Sequence, residues 1–249
     1  IGFSNRFPGG FGERMLLTEA LLLEVPNGLS DAWAAMTEPL AVGEHAVAAA
    51  LQVDAAYLVI GCGPVGLSVI AALKARGLGP VAAVDFSPAR RRAAEALGAD
   101  VIVDPAQTSP HAHWAALGVA ATFSDLSVMQ SAESKGRRAV IFECVGKAGL
   151  IQEIVENAPP SAQIIVVGVC PTSDRIEPAL AIMKQLDFRF VVGYSAQEFS
   201  DCLRVISEGR VPIDALLSGE TGLSGVPAAF ETLASPDNQV QMMVYPQRD

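Results

Sequence analysis

Three glycines, Gly61, Gly63 and Gly66, stand between an apolar run, "YLVI", and a helix-forming run, "LSVIAALKA". At a junction of strand and helix, a Gly-x-Gly-x-x-Gly pattern suits a pyrophosphate. The first glycine permits the tight turn, the second lets backbone approach the phosphates, and the third lets the helix lie close on the sheet. The positive end of the helix that starts near Pro64 then faces the anion. Asp85 closes the next apolar run, "VAAVD", at the roughly 20-residue spacing at which a carboxylate accepts hydrogen bonds from an adenosine ribose. Gly61, Gly63, Pro64, Val65, Gly66 and Asp85 are therefore the candidates for binding a dinucleotide. A carboxylate at that place repels a 2′-phosphate, favouring NAD over NADP by about 1 to 3 kcal/mol in a partly buried site. Of the three arginines one turn on, Arg90 is placed at the adenosine ribose, while Arg91 and Arg92 are read as a solvated helix face. The competing reading is a glycine-rich turn with an Asp85 that merely caps.

The elements needed to hold these residues are legible around them. From Tyr57 onward, short β-branched runs alternate with helical patterns: strands at 57–61, 81–85, 101–104, 139–143, 163–168 and 188–194. Helices are expected from Pro64 to Ala75 with Gly77 as a left-handed stop, from Ser87-Pro88 to Gly98, and from the capping box Ser195-Ala-Gln-Glu198 to Gly209. The strands are apolar almost throughout, as a sheet covered on both faces requires. The fold class is thus α/β, a doubly wound parallel six-stranded Rossmann sheet. The flanks break the rhythm: residues 1 to about 35 read as Gly/Pro-punctuated short strands, and 214–249 as irregular short elements. Between Pro105 and Arg138 runs a weakly patterned connection, either a lid or a mobile excursion.

Composition narrows the partners. With 249 residues, 51% of them hydrophobic, the chain has enough apolar side chains for a sizeable core. A formal net charge of -10 provides no basic surface for nucleic acid or an anionic membrane. No apolar run reaches the roughly 20 residues of a membrane-spanning helix. Cys62, Cys144, Cys170 and Cys202 are scattered, which reads as reduced thiols and a cytoplasmic protein rather than a disulfide framework. His111 and His113 form a His-x-His, read as a surface loop without a third metal ligand.

Taken in order, "MTEPLAVGEHAV", "VIGCGPVGLSVIAALKARG", "DFSPARRRAAEALGAD", "FECVG", "VVGVC" and "GYSAQEFSDCLRVISEGRV" resemble the zinc-dependent medium-chain alcohol and polyol dehydrogenases. The resemblance covers the later two-thirds of that family's pattern. It implies a three-part division: 1–35 a remnant of a GroES-like, β-rich catalytic domain, 36–213 the dinucleotide-binding domain, and 214–249 a return to the catalytic domain. It implies that Glu38 stands in the catalytic zinc's neighbourhood, against the plainer reading of Thr37 as a helix cap with Glu38 in the first turn. His45 packs or caps. Val145, Gly146, Val167, Gly168 and Val169 match backbone segments that line the nicotinamide and hold its carboxamide, and Cys144 and Cys170 beside them read as packing.

The resemblance further implies NAD and zinc as cofactors and a small alcohol or carbonyl compound as substrate. It also implies a homodimer or homotetramer, paired through the strand Arg189 to Tyr194. Ile1 in place of Met leads to the expectation of a piece of a longer enzyme. The alternatives are an inactive dinucleotide-binding module and a zinc-free quinone reductase-like enzyme.

Overall fold

The computed structural model describes residues 10–26, 28–51, 53–125, 136–234 and 239–248. Residues 1–9 of the leading flank and 126–135 of the long connection lie outside these. Six parallel strands form the sheet: β1 (Ala55–Ile60), β2 (Val81–Val84), β3 (Val101–Val103), β4 (Arg138–Glu143), β5 (Gln163–Val166) and β6 (Asp187–Phe190). Their order, β3-β2-β1-β4-β5-β6, reverses direction between β1 and β4, and the carboxyl ends at such a reversal are where an open α/β sheet binds ligands.

Alternation sends β1 side chains to two cores. Tyr57 and Val59 pack with Val140 and Phe142 under α2 (Thr37–Ala48) and α3 (Pro64–Ala75), whereas Leu58 and Ile60 pack with Ile141, Ile154 and Ile164 on the other face. Both faces of β1 are buried, which explains why "AAYLVI" carries no polar alternation. The helix α1 (Asp31–Ala35) precedes α2, and Trp33 Nε1 donates to Asp214 at 3.0 Å, joining the two flanks. Helix signals hold as read. Ser87 caps α4 (Pro88–Ala96) with Pro88 in its first turn; α5 (Leu150–Asn157) and α6 (Pro178–Met183) follow; both bonds of the Ser195–Glu198 box open α7 (Ala196–Ser207). Gly77, Gly98 and Gly209 all have positive φ where their helices end.

Three readings are corrected here. Among the described residues the leading flank carries no strand, only a 3-10 turn, Glu19–Leu21, and α1. Its short apolar stretches, Leu21 to Leu23 among them, are exposed, and among the described residues no strand pairs with them. The trailing flank contains a small parallel pair, β7 (Gly219–Thr221) and β8 (Met242–Val244), bridged by α8 (Val226–Ala234). Over its described part the long connection is no excursion: it turns through a 3-10 helix, Pro110–His113, and buries Trp114, Leu117 and Val119 in the second core. His111 and His113 accordingly lie in a packed turn and not in a surface loop. The His111 ring nitrogens are both buried, and desolvation with the nearby Lys184 cation lowers its pKa to about 4.

Candidate functional site

At the carboxyl end of β1 the glycines divide their work. Gly61 has φ +89°, and a Cβ on Gly66 would stand 1.8 Å from the Gly61 carbonyl oxygen, so α3 can rest on the loop only if position 66 has no side chain. Gly63 is different: its φ is -68°, and the nearest atom to an added Cβ is Arg90 Nη1 at 3.9 Å. Its open side leaves backbone bare, as a closely approaching ligand requires. Gly63 is also the N-cap of α3 and no side chain caps that helix, so the first-turn amides of Val65 and Gly66 remain for an anion.

Asp85 follows β2 with its side chain 10% exposed. Its Oδ2 accepts from the Cys62 amide at 2.8 Å and its Oδ1 from the Ser87 amide at 2.7 Å, which ties the glycine loop to the start of α4. A carboxylate oxygen has two lone pairs, so each keeps one for a further donor. Arg90 Nη1 stands 3.8 Å from Asp85 Oδ2, and Arg90 Nε is buried without a hydrogen-bond partner. Arg92 is exposed, as read, but Arg91 is not a solvated residue. Its guanidinium donates to the Asp85 and Phe86 carbonyls, both at 2.8 Å, and pairs with Asp104 at 3.0 Å, strapping β2 to β3. The strap is tertiary, and no local spacing announces it.

Gly61, Gly63, Asp85, Arg90 and Val145 line one cleft of about 750 Å³, whose far wall is Ser109, Pro110 and the N-terminal turn of α5. Phe86 and Lys147 line it too and were not anticipated; the Phe86 side chain is 72% exposed. An aromatic immediately after the strand-closing acid was the available signal for Phe86. Pro64, Val65, Gly66, Gly146, Val167, Gly168, Val169 and Glu38 are not on this cleft's walls.

The loops that leave β4 and β5 are knotted together by Glu143, 1% exposed at the end of β4. Its Oε1 accepts from the amides of Val145 and Gly146, both at 2.7 Å, and its carbonyl accepts from those of Val167 and Gly168, both at 2.9 Å. A Cβ on Gly168 would stand 2.3 Å from the Gly146 nitrogen, and one on Gly146 would stand 2.5 Å from the Val169 oxygen. The five residues read as the nicotinamide end are therefore one contiguous unit. Cys144 beside them is a packed thiol: burial and the Glu143 charge push its pKa well up, and burial does the same to Cys62.

Glu38 is exposed in the first turn of α2. Thr37 does not cap that helix; Met36 holds the N-cap place and Thr37 Oγ1 donates to the Ala34 carbonyl at 2.7 Å. Burial, and then the adjacent Glu38 carboxylate that its hydroxyl contacts, push the Tyr194 phenol up. His45 Nδ1 lies 3.1 Å from both Glu198 carboxylate oxygens, so it ties α2 to the start of α7. A catalytic zinc takes three protein ligands, and among the described residues no three His, Cys, Asp or Glu side chains converge in that way. These residues alone do not fit a zinc ion. A dinucleotide fits: the bare Gly61 and Gly63 backbone and the paired acid line one cleft, and the uncapped start of α3 follows directly after Gly63.

The family described as zinc-binding dehydrogenase matches residues 64–208. The (R,R)-butanediol dehydrogenase of Bacillus subtilis is 31% identical over 241 residues, 96% of this chain and 64% of that protein. The sorbitol dehydrogenase of the same organism is 25% identical over 244 residues, again 96% of this chain and 64% of that one. The crystal structure of 2R,3R-butanediol dehydrogenase from Bacillus subtilis superposes with a TM-score of 0.72 at 28% identity, covering 90% of this chain and 60% of that chain. This chain thus spans about 64% of the length of the curated relatives it matches. With the family matched across more than half its length, the chain belongs to the zinc-binding dehydrogenases.

Proposed function

We propose that the chain forms the cofactor-holding part of an NAD-dependent oxidoreductase that interconverts a small alcohol and its carbonyl compound. The observation that carries the reading is the bare backbone of Gly63, the N-cap of the uncapped α3, on the same cleft as Asp85. In it, the Val65 and Gly66 amides receive the pyrophosphate, and the remaining lone pairs of Asp85 accept the adenosine ribose hydroxyls, with Arg90 beside them. The Phe86 ring, exposed on the cleft, supplies an apolar surface for the adenine. Val145, Gly146, Val167, Gly168 and Val169 serve the nicotinamide end. When bound, the nicotinamide accepts a hydride from the alcohol's carbinol carbon or returns it to the carbonyl.

Relatives named for butanediol, sorbitol and threonine suggest a substrate with a hydroxyl beside a second polar group. Glu38 is assigned to the neighbourhood of a zinc whose other ligands are not among the described residues, and no step is routed through it. The division at about 35 and 213 is part of the same reading. The edge strand β6 and the segment after it, where Phe190 is 70% and Val192 87% exposed, are proposed to pair two copies across a two-fold axis. No helix among the described residues is long and apolar enough to cross a membrane, in keeping with a cytoplasmic enzyme.

Calorimetric titration with NADH and NADPH, with zinc measured on the same sample, tests the proposal. Micromolar NADH binding and weaker NADPH binding are expected; binding of neither refutes it. The lack of a three-ligand group among the described residues favours one second reading, a chain that binds the dinucleotide without turning over an alcohol. Absence of alcohol-dependent NAD reduction by a sample that binds NADH would select it.

A further inference from the structure

Glu143 poses a question that the cofactor reading leaves open. A carboxylate 1% exposed is normally paired with a cation or has its lone pairs occupied. Two amides occupy Oε1, yet among the described residues no Lys, Arg or His forms an ion pair with it. Room has been kept for Oε2 by a glycine, since a Cβ on Gly168 would lie 2.9 Å from it. Had the position served only to fill space beside Phe142 and Ile141, an apolar side chain would do so at lower desolvation cost. The charge sits between the two loops assigned to the nicotinamide, and that ring is cationic when oxidised and neutral when reduced.

We propose that Glu143 is a positioning residue for the nicotinamide end: its carboxylate shapes the loop after β4 through the Val145 and Gly146 amides, against Gly168 of the loop after β5, and its buried charge weights binding toward the oxidised ring. The inference rests on the cofactor reading above. It makes the oxidised cofactor the missing counter-charge of the site. A purely structural Glu143 would influence NAD⁺ and NADH alike.

The test is calorimetric titration of the 249-residue chain with NAD⁺ and with NADH, for the wild type, Glu143→Gln and Glu143→Ala. Gln keeps an oxygen for the Val145 and Gly146 amides and removes the charge. Its Kd for NAD⁺ is expected to rise about tenfold, with Kd for NADH held within about twofold. Ala leaves both amides open and is expected to weaken both forms. Equal changes for the two forms in the Gln variant, or none, overturn the proposal while the cofactor reading stands. A wild type that binds neither form overturns both. If Glu143→Gln does not fold, the wild type still answers: NAD⁺ must bind more tightly than ADP-ribose, and NADH must not gain as much over it; equal gains refute the charge's role.

Discussion

Asp85→Ala is expected to weaken both dinucleotides and to loosen the fold, because the carboxylate has two duties. It accepts the Cys62 amide at 2.8 Å and the Ser87 amide at 2.7 Å, and these residues are 0% and 1% exposed. A buried amide left without its acceptor costs about 1–3 kcal/mol, so the pair amounts to roughly 2–4 kcal/mol once partial relaxation is allowed. For a chain of this size each kcal/mol moves Tm by about 2–4 °C, giving a fall of roughly 5–15 °C in a thermal melt. NADH loses its ribose acceptors and meets a glycine loop no longer tied to α4, so its Kd should rise at least about tenfold. Removing the charge alone would favour NADPH, but the loosened loop offsets that gain, and its Kd should improve by no more than a few-fold, on the order of 1 kcal/mol. Asp85→Asn, which keeps one acceptor oxygen, should fall between. An Asp85→Ala protein that melts like the wild type and binds NADPH about tenfold more tightly would refute the reasoning, since the carboxylate would then act on the ribose alone.

Other perturbations separate packing from binding. Gly43→Ala drives a Cβ to 2.4 Å from the Ser68 carbonyl carbon where α2 crosses α3; a loss of about 2–3 kcal/mol in urea melts is expected, with NADH affinity of the folded protein unchanged. Gly66→Ala, at 1.8 Å from the Gly61 oxygen, should cost at least as much and also abolish NADH binding in calorimetry. His111 has a folded pKa lowered to about 4, so between the ordinary value of 6.5 and about 4 the unfolded chain takes up a proton that the folded chain refuses. Stability should therefore fall as pH drops through that window, by up to about 3 kcal/mol, and His111→Leu should flatten this part of the urea-melt profile without destabilising the protein at pH 7.5. A wild-type profile that stays flat from about pH 6.5 to 4 would count against the burial of this ring.

Strand positions and helix caps were legible because each depends on residues close in sequence. Apolar runs bounded by glycine and proline located all six strands, although β6 stops at Phe190 where the sequence pattern continued to Tyr194. The glycine pattern with Asp85 located the cleft for the same reason. Arg91 and His111 were misread because their roles depend on distant partners. Arg91 spans from β2 to Asp104, and His111 is buried beside Lys184. The leading flank failed differently. Its apolar stretches suggested strands, but a strand exists only with a neighbour to bond, and among the described residues none lies beside it.

The β1–β4 pairing also governs how the chain must assemble. Ala55 pairs with Arg138 and Ile60 with Glu143, so the central seam joins segments separated by two strands, two helices and the long connection. Nothing local can form that seam, and its loop-closure entropy must be met before its hydrogen bonds are gained. Segments on either side of the seam can gather separately: β1 to β3 with α3 and α4, and β4 to β6 with α5 and α6. The cleft straddles that seam, with Gly61 on one bank and Val145 on the other. A dinucleotide therefore recognises the joined halves and not either alone, and its presence during refolding should draw the equilibrium toward chains in which the last and most distant pairing has closed.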